Sequence, residues 1–342
     1  MRSKLEMHSI MKLSILDYVP IFENRNASDA LNHSIELAQL AEQLGYERYW
    51  VAEHHQVLSV ASSAPEMIMM SLLEQTNHIR IGSGGIMMPH YSPYKVAEQF
   101  KIMEARHPKR VDLALGRSKS YPNVFAALNE NKNQPLQFET QLNDLQKYFT
   151  DEVTKPHRFQ TLIATPQIDS YPDMFILGMS ERSAKLAGRI GLPFVIAQMG
   201  QEPQQLQAAI ETYKSTIYQH YGEQVKPYVI LATFVITAEN QDKTNQLLNA
   251  FHLWLIRIFY ANQPKSYPSI DTAKNRQWSD RELKKMSSNA NRVISGSPYQ
   301  VNAQLKQLKN DYNVDEIMIL PHVYGEANRK RLLELVMEYC ES

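Results

Sequence analysis

Short apolar segments recur along this chain, separated by amphipathic ones, and this alternation restricts its fold more than any other feature. Strand-like runs fall at 12–19 (KLSILDYV), 48–53 (RYWVAE), 79–87 (IRIGSGGIM) and 111–117 (VDLALGR). Four more follow at 173–179 (DMFILGM), 193–198 (PFVIAQ), 228–238 (YVILATFVITA) and 316–320 (EIMIL). Between them lie helical patterns, among them 28–44, begun by Ser28 or Asp29 and stopped by Gly45, and one opened by Pro65. Others cover 92–105, 137–149, 180–190, 203–220, a long stretch after the seventh run, 295–308 and 326–340. Strands without strict polar alternation belong to a parallel sheet whose outside is covered by helices. Eight such units predict a closed (β/α)8 barrel, the TIM barrel, rather than an open doubly wound sheet. Two stretches break the pattern, 118–170 after the fourth strand and 261–295 after the seventh. No linker divides the rest, so residues 12–342 read as one domain and 1–11 as an N-terminal tail.

Charge narrows the function. Thirty-six basic and 36 acidic residues cancel, which removes the electrostatic case for nucleic acid or an anionic membrane. No apolar run approaches a membrane span, and the start, MRSKLEMHSIMK, lacks the apolar core of a signal peptide. The single cysteine, Cys340, excludes an internal disulfide and suits a reducing cytoplasm.

In such a barrel the functional rim lies at the carboxyl ends of the strands. Those ends carry Tyr18, then Glu53-His54-His55, Gly84-Gly85 with His90-Tyr91 beyond, Arg117-Ser118, Met179-Ser180, Gln198 and His322. Ser180 and Ser183 stand in the first turn of a helix, where free backbone N–H groups and the dipole favour an anion. Arg117, at the neighbouring strand end, adds a forked cation, and together they suggest a phosphate cradle. Alternatively, Ser180 is only an N-cap. Gly82, Gly84 and Gly85 would let a flat ring lie against the main chain, or mark a bulge in the wall. Adjacent His54 and His55 point to opposite faces and do not converge on a metal, and no second cluster has ligand spacing. A histidine over a cofactor ring, its position fixed by Glu53, fits better.

The segments WVAEHH, IGSGGIMMPHYSPYKVAEQF, HPKRVDLALGRS, FILGMSERSAKLAGRIGLP and SGSPYQVNAQLKQL resemble, in order and spacing, the bacterial-luciferase-like flavin monooxygenases. The resemblance runs from about residue 12 to 340. It implies a barrel that binds reduced FMN, usually supplied by a separate reductase, and uses O2 to oxidise a small organic substrate. It implies that His54 is the active-site histidine and that Gly84-Gly85 pack on the flavin ring through a non-prolyl cis peptide. Arg117, Met179, Ser180 and Ser183 would hold the phosphate, and 261–295 would be a mobile lid. Family members pair through the helices at 65–76 and 93–106, which implies a homodimer. Gly116 stands where the luciferase has a reactive cysteine, which argues against light emission. Two other functions share the pattern: a deazaflavin-dependent hydride-transfer enzyme and a non-catalytic flavin carrier.

Overall fold

Each apolar run does become a strand, and each strand hands over to at least one helix. The computed structural model describes residues 11–130, 132, 136–152, 157–260 and 262–340. The proposed tail, apart from Met11, lies outside them. The chain order is β1 (Lys12–Asp17), α1 (Ala27–Gln43), β2 (Arg48–Val51), α2 (Pro65–Gln75), β3 (Arg80–Met87), α3 (Pro93–Arg106) and β4 (Val111–Gly116). It continues with α4 (Pro122–Leu128), α5 (Phe138–Thr150), β5 (Asp173–Leu177), α6 (Glu181–Ile190), β6 (Phe194–Ala197), α7 (Pro203–Tyr221) and β7 (Val229–Ile236). The last third holds α8 (Gln241–Arg257), α9 (Ile270–Lys274), α10 (Asp280–Ser288), β8 (Val293–Ser295), α11 (Pro298–Tyr312), β9 (Glu316–Leu320) and α12 (Glu326–Cys340).

Strands β1 to β7 are consecutive parallel neighbours, and β9 lies between β7 and β1, closing an eight-stranded barrel. This is the expected TIM barrel with its two excursions. The short β8 is a ninth strand that pattern reading missed. It pairs with the end of β7, Phe234 opposite Val293, and gives the second excursion a fixed attachment to the sheet. The first excursion also contains a helix not foreseen, α4, which buries no residue and so shows no apolar stripe. Helix α1 begins one step earlier than expected. Asn26 is its N-cap and exchanges hydrogen bonds with Asp29 in a capping box, so the two residues named as starters lie inside the helix.

One end of the barrel interior is filled by charge. Arg48 on β2 bonds to Asp112 on β4 at 2.7 Å and to Glu316 on β9 at 2.8 Å, and all three are buried. Trp50 donates its indole N–H to the same Asp112 at 2.8 Å. Burial opposes the charge on Arg48, but the two carboxylates outweigh it and push its pKa up. This floor leaves the other end of the barrel, where the strands finish, open to form a cavity.

Candidate active site

A cavity of about 550 Å³ opens among the strand ends. Glu53, His54, Gly84, Gly85, Arg117, Met179, Ser180 and Ser183 all line it, so the structure brings together the residues that the sequence proposed for the ring and the phosphate. They come from the segments just after β2 and β4, from β3, and from the turn from β5 into α6. The peptide between Gly84 and Gly85 is cis.

The β5–α6 turn is built for close approach. Ser180 caps α6, accepting from the Ser183 N–H, and its hydroxyl lies 3.3 Å from the Ser183 hydroxyl. Arg117 donates from Nη2 to the Ser183 Oγ at 2.5 Å. The two readings of Ser180 are therefore compatible: it caps the helix and also faces the cavity. Gly178 has to be glycine for this arrangement, since a Cβ there would sit 2.1 Å from the Ser183 Cβ. No carboxylate forms an ion pair with Arg117 among the described residues. Burial and the nearby Arg182 both press its pKa down, so an arriving anion would relieve the site.

The histidine pair departs from expectation. Glu53 does not hold His54. Its carboxylate accepts from Tyr91 Oη at 2.7 Å and from the Met87 backbone N–H at 2.7 Å, and it lies 2.7 Å from His55 Nε2. Strand β2 ends at Val51, so the alternation of faces used to separate the two rings no longer applies at 53–55. Glu53 thus ties the β2 tip to the end of the glycine-bearing β3. His54 is fixed otherwise, by its backbone N–H to the Ser62 carbonyl at 2.9 Å and by the Tyr18 ring, whose centroid is 4.3 Å away. Its Nδ1 is buried without a partner among the described residues. Burial carries the His54 pKa down to about 4, with Glu53 pulling it up and His55 pushing it further down. The ring is neutral at pH 7, and Glu53, which the sequence suggested as the residue fixing its position, bonds to His55 instead.

Of the other polar strand ends, Tyr18 and Ser118 line the cavity too, while His322 and Gln198 lie apart. His322 is buried with its ring 4.0 Å from Trp254, and Gln198 accepts from Thr233 Oγ1 at 3.3 Å. Neither lines the cavity. Sequence reasoning passed over Leu16 and Trp50, which do line it. Their signal was the two-residue spacing to Tyr18 and Ala52 along inward-facing strand positions. Among the described residues no cluster of three or more His, Cys, Asp or Glu is placed to hold a metal ion.

A family model for luciferase-like monooxygenases matches residues 11–312. The chain belongs to that family, a class of oxidoreductases. It is 42% identical over 193 residues to the N-acetyl-S-alkylcysteine monooxygenase of Bacillus subtilis (strain 168), a match that covers 55% of this chain and 57% of that one. The crystal structure of apo-MsnO8 superposes with a TM-score of 0.85 at 31% identity, covering 97% of this chain and 98% of that one. The oxygenating constituent of 3,6-diketocamphane monooxygenase from Pseudomonas putida, solved in complex with FMN, shares the fold at 16% identity. Its TM-score is 0.70, over 97% of this chain and 98% of that one.

Proposed function

We propose that this protein is an FMN-dependent monooxygenase that takes reduced FMN from a separate reductase and, with O2, oxidises a small organic substrate into which oxygen is incorporated. The carrying observation is that Arg117, Ser180 and Ser183 form an anion corner in the cavity that also holds Gly84-Gly85 and His54. These residues fit a flavin phosphate. The guanidinium has no ion pair among the described residues, two hydroxyls stand at one helix start, and Gly178 leaves the space that their approach needs. Gly84-Gly85, Leu16 and Trp50 would supply an apolar wall for a flat ring.

When bound, reduced flavin supplies the electrons that activate O2. The chain's own part is positional and protonic. Neutral His54 can donate a hydrogen bond to an oxygen or accept a proton from one. Glu53 acts as a positioning residue, since its bonds run to His55, Tyr91 and Met87 rather than to His54. The segment 261–295 would serve as the lid. It is anchored at buried Tyr267, which donates to the His322 carbonyl at 2.9 Å, so its movement would belong to the part beyond that anchor. We assign the protein to the cytoplasm and to a two-fold homodimer through α2 and α3.

The test is a flavin titration followed by oxygen-electrode measurements with chemically reduced FMN, using N-acetyl-S-methylcysteine, chosen from the relative's name, as the first substrate. Expected are FMN binding and oxygen consumption coupled to product. FMN binding without substrate oxidation across a broad panel would favour a carrier. Preference for a deazaflavin, with no oxygen consumed, would favour hydride transfer.

A further inference from the structure

A second cavity, of about 400 Å³, continues from the first and shares Tyr18, His54, Met87, Ser118 and Met199 with it. Much of its remaining wall is apolar, including Val60, Phe234, Trp254, Leu255 and Ile258. Into this wall is set one guanidinium, that of Arg292. Arg292 is half-buried, and among the described residues its side chain has neither an ion pair nor a hydrogen bond. Three enclosed arginines are matched by carboxylates, Arg48 with Asp112 and Glu316, Arg80 with Asp112 and Arg329 with Asp17, and Arg117 at least donates to Ser183.

The position of Arg292 is built into the fold. It ends a 3-10 turn (Ala290–Arg292), its N–H donates to the Asn289 carbonyl at 3.0 Å, and the next residue, Val293, is already paired with Phe234 of β7. From the other side the loop after β6 makes room for it. Gly200, at φ +83°, would place a Cβ 2.7 Å from Arg292 Nε. A half-buried cation beside an apolar enclosure keeps its hydrogen-bonding fork free for a ligand that brings the countercharge. The guanidinium fork matches a carboxylate in particular.

We infer that Arg292 holds the carboxylate of the substrate while the apolar wall takes its body, so that this enzyme selects small amphiphilic acids. The inference deepens the monooxygenase reading and rests on it for what happens to the substrate, but not for binding. The body would lie beside His54 and Tyr18, two of the five residues common to the two cavities, with Arg117 left to hold the separate anion of the flavin.

The test uses the flavin-free protein and the tryptophan fluorescence to which Trp254 in the cavity wall contributes. Octanoate and octanamide, equal in chain and different in charge, are titrated into the parent, Arg292→Gln and Arg292→Lys. Octanoate should bind the parent at least roughly tenfold more tightly than octanamide, as expected of a charge-assisted pair. Arg292→Gln should weaken octanoate by roughly tenfold to a hundredfold and leave octanamide unchanged. Arg292→Lys, which keeps the charge without the fork, should fall between them and covers the case in which the glutamine variant fails to fold. Equal affinities for acid and amide in the parent, or no binding of octanoate, would overturn the inference. So would Arg292→Gln weakening FMN while sparing octanoate, which would give this guanidinium to the flavin. Octanoate selectivity in a protein that binds no FMN would sink the monooxygenase reading and leave the acid site standing.

Discussion

Arg117 and His54 face the same cavity with separable duties. Arg117→Ala removes a charge-assisted bond aimed at a phosphate, so it should weaken FMN by roughly tenfold to a hundredfold and riboflavin, which lacks the phosphate, much less. Equal losses in a fluorescence titration of the two flavins would dismiss the phosphate assignment. His54→Ala leaves that corner intact. It should bind FMN normally and lose substrate oxidation by roughly a hundredfold or more, read as turnover with supplied reduced FMN. Because the His54 pKa lies at about 4, the ring stays neutral across pH 5–8. No limb near 6.5 in the parent's pH profile should disappear in this variant. The anion corner was legible because strand ends in a barrel converge and a helix start beside an arginine has one evident use. The partner of Glu53 was not legible. Past the last strand residue, the choice between two adjacent rings depends on side-chain rotamers that no periodicity encodes.

At the scale of elements, the turn from β5 into α6 concentrates the most function in the fewest residues. Gly178→Ala would drive a methyl into Ser183, the residue that receives Arg117. The first turn of α6 would have to move, at a cost of ~1–3 kcal/mol typical of overpacking. FMN affinity should drop by about tenfold while the fold survives, measured by titration beside a thermal melt. Unchanged affinity would mean that the turn is not part of the flavin site. Long elements were readable because apolar residues repeat on one face, as Ile68, Met69, Leu72 and Leu73 do on α2. The fold buries those four, so α2 keeps little apolar surface for a partner. The three-residue β8 and the seven-residue α4 are too short to show any period. Arg292 was hidden for the same reason, since its place is set by β8 pairing with β7.

At the scale of the molecule, what remains exposed on the proposed pairing face is Met67 on α2, 70% exposed, and Ile102 on α3, 51% exposed. A single 39.4 kDa species in sedimentation at micromolar concentration would exclude the dimer. Stability against acid has a different origin, in the histidines that the barrel encloses. Burial depresses His33 to about 3 and His54 to about 4, and it also lowers His90, His252 and His322. In the unfolded chain each would titrate near 6.5. Below that pH the unfolded state therefore binds protons that the folded state refuses, and the balance moves toward unfolding. The loss begins near pH 6.5 and grows until the folded rings titrate as well, at about pH 4 for His54 and lower for His33. Asp17, held low by Arg329 and by hydrogen bonds from Tyr49, Val19 and Ser34 against the desolvation that opposes them, adds a further loss below pH 4. Glu66, raised by burial, works weakly in the opposite direction. At pH 5 each fully enclosed ring would cost on the order of 1–2 kcal/mol, and a partly exposed one less. Several such costs together are comparable with the ~5–15 kcal/mol that holds a typical domain folded. The melting temperature should be level from pH 8 to 7, fall steeply between 6.5 and 4, and recover in part at pH 5 when buried His33 is replaced by Gln. A melting temperature that stays flat to pH 4.5 would show that these rings are protonated inside the fold.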